Sequence, residues 1–172
     1  MGEMILALDP ATKCGYAIGN EAQRFYGVWI VRSPNALQER LELYFHEGDG
    51  PQAISLIVYE DAIYGTHRHH TTAFHGELRG IIKAVAERHG IKTLAVNPMT
   101  LKKFATGHGH AEKDQMIRAC KTILGVETQS SDIADALFLL EYGRAYKPEW
   151  DTPKKKARRL KKERRKEPKL FK

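Results

Sequence analysis

Two acids close apolar runs in this chain, and two more stand three residues apart. Asp9 ends Met4-Ile5-Leu6-Ala7-Leu8, and Glu60 ends Ile54-Ser55-Leu56-Ile57-Val58-Tyr59. Asp132 and Asp135 open a helical stretch, where residues three apart share a face. A carboxylate at a buried strand end costs free energy unless something offsets its charge. Hard divalent cations do so, because they take oxygen ligands. Two such ions about 4 Å apart activate water, stabilise a leaving oxygen and cancel charge at a phosphodiester. Metal-dependent cleavage of nucleic acid is therefore the leading reading. Singly, each acid has a plainer one. Asp9 could cap the turn Pro10-Ala11-Thr12, Glu60 could be a simple strand terminus beside Asp61, and Asp132 an ordinary first-turn acid. Taken together, the four favour one acidic pocket.

The charge balance points to the same substrate. Residues 154–172 hold 12 of the 28 lysines and arginines and two of the 21 acids, so this tail is +10 and the remainder −3. A basic tail attracts phosphate backbones without reading sequence. Lys154, Lys155, Lys156, Arg158 and Arg159 are its first candidates for DNA contact. An anionic membrane surface suits it less, since only Leu160, Leu170 and Phe171 could insert. A hydrophobic content of 42% is enough for a real core. No apolar run approaches the roughly 20 residues that span a bilayer, and no secretory signal opens the chain. Cys14 and Cys120 are too few for a disulfide framework and read as buried thiols of a reducing compartment. A cytoplasmic protein, in a bacterial or virus-infected bacterial cell, is expected.

The elements must now position the acids. Residues 4–9, 14–19 and 24–31 read as strands, joined closely enough to form an antiparallel meander. Pro34 opens a helix with Leu37, Leu41 and Tyr44 along one face. A β-branched strand follows at 54–60, then a polar loop at 61–70. A long helix spans about 71–89, with Phe74, Leu78, Ile81, Ile82 and Val85 at helical spacing and Gly90 as its stop. Residues 92–96 make a fifth strand. Three helices close the order: one opened by Pro98, one over 112–124, and one over 131–146 with Ile133, Ala136, Leu137 and Leu140 inward. This is an α/β domain over 1–150 with a mixed five-stranded sheet, followed by a basic, disordered tail over 151–172. The strand ending in Asp9 can lie parallel to the strand ending in Glu60, and open α/β sheets bind ligands at such carboxyl ends.

Four segments resemble the RuvC family of Holliday-junction resolvases, which have the ribonuclease H-like fold. They are Ile5-Leu6-Ala7-Leu8-Asp9-Pro10, Val58-Tyr59-Glu60, Gly107-His108-Gly109-His110-Ala111-Glu112-Lys113 and Asp132-Ile133-Ala134-Asp135-Ala136-Leu137. The similarity runs in the family's order across residues 4–143. It implies that Asp9, Glu60, Asp132 and Asp135 bind metal, two Mg²⁺ per site with Mn²⁺ able to substitute. It also implies that Lys113 and Lys102, with Lys103 a close rival, meet DNA near the scissile phosphate. Cations there would stabilise charge gathering on phosphate oxygens. An aromatic past the strand-end acid is expected to wedge at the junction centre, and Tyr64 is the candidate. The basic tail is longer than expected of bacterial members.

His67, Arg68 and His69 follow in the polar loop and read as contacts to phosphates or bases. Zinc is disfavoured there, because no second pair of soft ligands is near in sequence. His108 and His110 frame the glycine loop without an assigned role. The resemblance implies a homodimer with the long helix near its interface. The two-fold symmetry of a four-way junction argues the same way, since two nicks need two sites. The expected activity is paired symmetric nicking of four-way junctions in recombination and repair, leaving 5′-phosphate and 3′-hydroxyl ends. The alternatives are a broader flap, fork or RNA–DNA hybrid nuclease and a non-catalytic architectural DNA-binding protein.

Overall fold

A computed structural model describes residues 3–46, 54–61 and 69–146. Five strands and five helices follow in the order β1 (Met4–Asp9), β2 (Lys13–Gly19), β3 (Arg24–Ile30), α1 (Pro34–His46), β4 (Ile54–Glu60), α2 (His69–Arg88), β5 (Lys92–Val96), α3 (Pro98–Thr106), α4 (Lys113–Leu124) and α5 (Ser131–Ala145). The sheet order is β3-β2-β1-β4-β5. β1, β2 and β3 form the expected meander. β4 lies parallel to β1 on one side and to β5 on the other.

The sheet separates two cores, and the pleat decides which residue enters which. Met4, Leu6 and Leu8 pack with Leu37 and Leu41 of α1 and Leu78, Ile82 and Val85 of α2. Ile5 and Ala7 face the opposite way, into a cluster with Leu101 of α3, Met116 of α4 and Leu137 of α5. Covering both faces explains why β1 reads as an unbroken apolar run rather than an alternating one. Among the described residues no helix is long and apolar enough to cross a membrane.

Two details depart from expectation. Tyr44 does not share the burial of Leu37 and Leu41; it lies 37% exposed at the sheet edge, with its ring 5.6 Å from that of Trp29. α5 is buried almost all round, from Ala134 through Leu140 to Gly143, rather than on one stripe. It runs across β2, β1 and β4 while α3 and α4 cover its outer side. Such a helix carries little amphipathic signal in its sequence.

Close approach lets α5 sit so low. A Cβ on Gly143 would meet Val58 Cγ2 at 2.6 Å, inside any ordinary contact. Gly143→Ala should therefore lower the unfolding free energy by about 1–3 kcal/mol through overpacking. Urea titration checks this, with a lower midpoint and an unchanged slope expected.

Candidate metal and phosphate site

Asp9 and Glu60 stand side by side because β1 and β4 are parallel neighbours in register. Leu8 pairs with Tyr59, so the next residue of each strand emerges at the same sheet edge. The pleat then aims both acids. Leu8 and Tyr59 belong to the α1–α2 core, whereas Ala7 and Val58 belong to the α5 core. Side chains two apart on a strand share a face, so Asp9 and Glu60 turn toward α5.

Gly15 brings the helical acids to them. It is the antiparallel partner of Asp9. A Cβ at that position would lie 2.0 Å from the carbonyl oxygen of Asp132. Only a residue without a side chain lets the first turn of α5 come down over β2 beside Asp9. Ser130 fixes that turn, its hydroxyl accepting from the Ile133 N–H at 3.3 Å. Asp132 occupies the first turn, where the helix dipole favours negative charge. Asp135 falls one residue beyond it, in the second turn, and keeps less of that benefit.

The electrostatics record the convergence. Burial, then Glu60, Asp135 and Asp132, drive the Asp9 carboxyl well above its usual range, while Lys113 pulls the other way. Burial and then Asp135 push Glu60 up to about 7, opposed by Lys102. Asp135 rises to about 6, burial leading, with Lys102 and Lys113 opposing and Asp132 adding to it. The Asp135 Oδ1 is buried and has no hydrogen-bond partner. Among the described residues no three His, Cys, Asp or Glu side chains are already closed around a point that could hold a metal ion. Like charges at this separation repel rather than gather. A buried carboxylate oxygen without a donor, among acids that raise one another, is nonetheless the hard-oxygen environment that a divalent cation fits.

Two lysines reach this environment from separate elements. Asn97 caps α3 by accepting from the Met99 N–H at 2.9 Å, with Pro98 at the first helical position. From α3, Lys102 acts on Glu60 and Asp135, whereas its neighbour Lys103 is exposed. Lys113 is the first residue of α4, and the Gln115 side chain accepts from the Glu112 N–H just before it at 2.7 Å. That Gln115 contact fixes the backbone at the start of α4, which carries Lys113 toward Asp9 and Asp135.

Sequence reasoning missed His75 and Arg79. Both come from α2 and, with Asp9, Pro10 and Glu60, line a small cleft. Arg79 pairs with Asp61, whose own N–H donates to the Val96 carbonyl at 2.8 Å. The end of β4 is thus tied to both α2 and β5. The sequence offered little signal, because His75 and Arg79 are two of many polar residues on α2. Tyr64, His67 and Arg68, and the tail candidates Lys154, Lys155, Lys156, Arg158 and Arg159, lie outside the described residues. His69 is the first residue of α2.

Raised carboxyl values have a definite consequence for stability. Between about pH 4 and pH 7 the folded chain keeps protons on Glu60 and Asp135 that the unfolded chain has released. Stability without divalent metal therefore falls as pH rises through that window. Glu60→Gln should raise the unfolding temperature at pH 8 in chelator, by about 2–4 °C for each kcal/mol of repulsion relieved. The advantage should vanish near pH 4, as thermal melts across the range would show.

Comparison with known proteins adds an independent finding. The family model for "Crossover junction endodeoxyribonuclease RuvC" matches residues 5–140. A protein of that description from Heliobacterium modesticaldum is 31% identical over 146 residues, covering 78% of this chain and 89% of its own. One from Desulfitobacterium hafniense is 27% identical over 146 residues, covering 78% and 87%. Among solved structures, Thermus thermophilus RuvC in complex with Holliday junction substrate superposes with a TM-score of 0.65 at 20% identity, over 82% of this chain and 93% of that one. That last likeness is one of fold, and the fold is ribonuclease H-like.

Proposed function

The chain belongs to the RuvC family of crossover junction endodeoxyribonucleases, and from that membership we propose that its four clustered acids cut branched DNA. The protein is a Holliday-junction-resolving endonuclease of a family that depends on divalent metal. The finer reading is that Asp9, Glu60, Asp132 and Asp135 hold two Mg²⁺ ions, with Mn²⁺ able to replace them. The observation that carries it is the buried, unpartnered Asp135 oxygen beside two strand-end carboxyls that burial and repulsion have raised. Bound there, the ions would supply an activated water and neutralise charge at the phosphorus.

The chain's own groups do the rest. The carboxyls must release their protons to bind cations, and Lys102 and Lys113 favour that release. The same two ammonium groups would meet the non-bridging oxygens of a phosphate at the acids and steady their growing charge. Arg79 holds Asp61 and so keeps the end of β4, with Glu60, from drifting outward. Residues 1–150 form the nuclease unit, and the +10 tail adds affinity for any nearby backbone. A homodimer sets two such sites on opposing strands of a symmetric junction, giving paired nicks with 5′-phosphate and 3′-hydroxyl ends.

Asp9→Asn should bind a labelled four-way junction as the unmodified protein does, yet cut it at least about a hundredfold more slowly in Mg²⁺. Cleavage retained by that variant would end the carboxylate reading. Comparable cutting of junction, flap and hybrid duplex by the unmodified protein would favour the broader nuclease. No cutting with any divalent metal would favour an architectural protein.

Deleting residues 154–172 should weaken junction binding mainly at low salt. The slope of log affinity against log salt should flatten by about 0.9 for each phosphate that the tail had neutralised. Filter binding from 50 to 200 mM salt measures both.

A further inference from the structure

A groove of about 860 Å³ lies apart from the acids, where α3 and the following loop meet the C-terminal half of α5. Lys103, Phe104, His108, His110, Tyr142 and Tyr146 are among the described residues lining it, and no carboxylate is. Phe104 is 40% exposed and Met99, at the rim, 51%. The Phe104 and Tyr142 rings meet edge to face at 5.2 Å, and Tyr146 follows at 6.3 Å from Tyr142. The loop wall is firmly built. Gly107 ends α3 with φ of 82°, and the Thr106 hydroxyl accepts from the His108 N–H at 3.2 Å. Gly109 packs so closely that a Cβ would stand 3.2 Å from the Met99 carbonyl.

This groove continues the acid site along two elements. α3 turns Lys102 toward Glu60 and Asp135 and puts the next residue, Lys103, into the groove. The loop that carries His108 and His110 leads within a few residues to Lys113. On α5, Tyr142 stands seven residues beyond Asp135, close to two whole turns, so the two share a face, and Tyr146 caps the helix just after it. Seven residues at about 1.5 Å each put Tyr142 about 10 Å along the helix from Asp135, the rise of about three nucleotides in one strand. A cation, hydrogen-bonding imidazoles and aromatic surface, with no acid in the described lining, suit a nucleic-acid strand.

We propose that this groove seats the DNA strand running away from the cleaved linkage, about three nucleotides from it. Lys103, His108 and His110 face its phosphates, and Phe104 and Tyr142 lie against a sugar or base. This inference rests on the reading that the acids cut DNA, and its test is separable from that reading. The probe is a labelled four-way junction bound by the full chain in chelator, where no cutting intrudes. Lys103→Gln should weaken binding about threefold to tenfold and reduce the salt slope by about 1, and Lys103→Arg should restore both. A neutral methylphosphonate at the third or fourth phosphate from the cut should weaken binding of the unmodified protein and leave Lys103→Gln unaffected. Unmodified affinity and salt slope in Lys103→Gln would overturn the proposal. So would a change in the monomer–dimer balance with DNA affinity intact, which would give the surface to a second copy. The carboxylate reading fails on a different result, cleavage retained in Asp9→Asn, whatever the groove variants do.

Discussion

The contact between β2 and the first turn of α5 governs this structure, because it forces like charges together. Asp9 pairs across the sheet with Gly15, and the Asp132 backbone lies against that glycine. Burial raises the proton affinity of Asp9 and Asp135, and the neighbouring acids raise it further. Left to electrostatics alone they would separate. They stay because α5 is buried along nearly its whole length, by the sheet beneath and by α3 and α4 above. The apolar contacts of residues 134–143 hold the helix where its first two turns carry an unfavourable arrangement.

The two sides of the sheet divide the work. The side that faces α1 and α2 is a packed apolar layer of Leu6, Leu8, Trp29, Leu41 and Ile82. Glu42 of α1 pairs there with Arg88 and His89 at the end of α2. The side that faces α5 ends in carboxyl groups at the edge where β1 and β4 stop. Parallel pairing makes this division productive, since it brings two strand ends to one place. From α2, His75 and Arg79 line a small cleft with Asp9, Pro10 and Glu60.

Positive charge is distributed to match. Lys102 and Lys113 oppose the upward push on the acids without neutralising it, while Arg79 is engaged by Asp61. The acids therefore stay raised despite the two nearby lysines. Lys103, one residue beyond Lys102, is exposed and lines the groove with Phe104 and Tyr142. A helix rotates by about 100° per residue, so the two adjacent lysines leave α3 in different directions.

Much of this was legible in the chain. Strand ends at Asp9 and Glu60, the meander and the Asp132–Asp135 pair follow from local pattern, and the order of elements allowed the parallel pairing of 4–9 with 54–60. Apolar runs, turn residues and helical spacing are properties of neighbouring residues. The order of the four motifs was enough to indicate the family. The tertiary structure decided the rest. It buried α5 all round, left Tyr44 at the edge, brought His75 and Arg79 beside the strand-end acids and separated Lys102 from Lys103. It also made Gly15 the hinge of the arrangement, through an approach to a residue more than a hundred positions away. Sequence carries the period of each element, and so which residues share a face. Which faces then meet, and how closely, is set by packing between segments remote in the chain, and no local pattern encodes that distance.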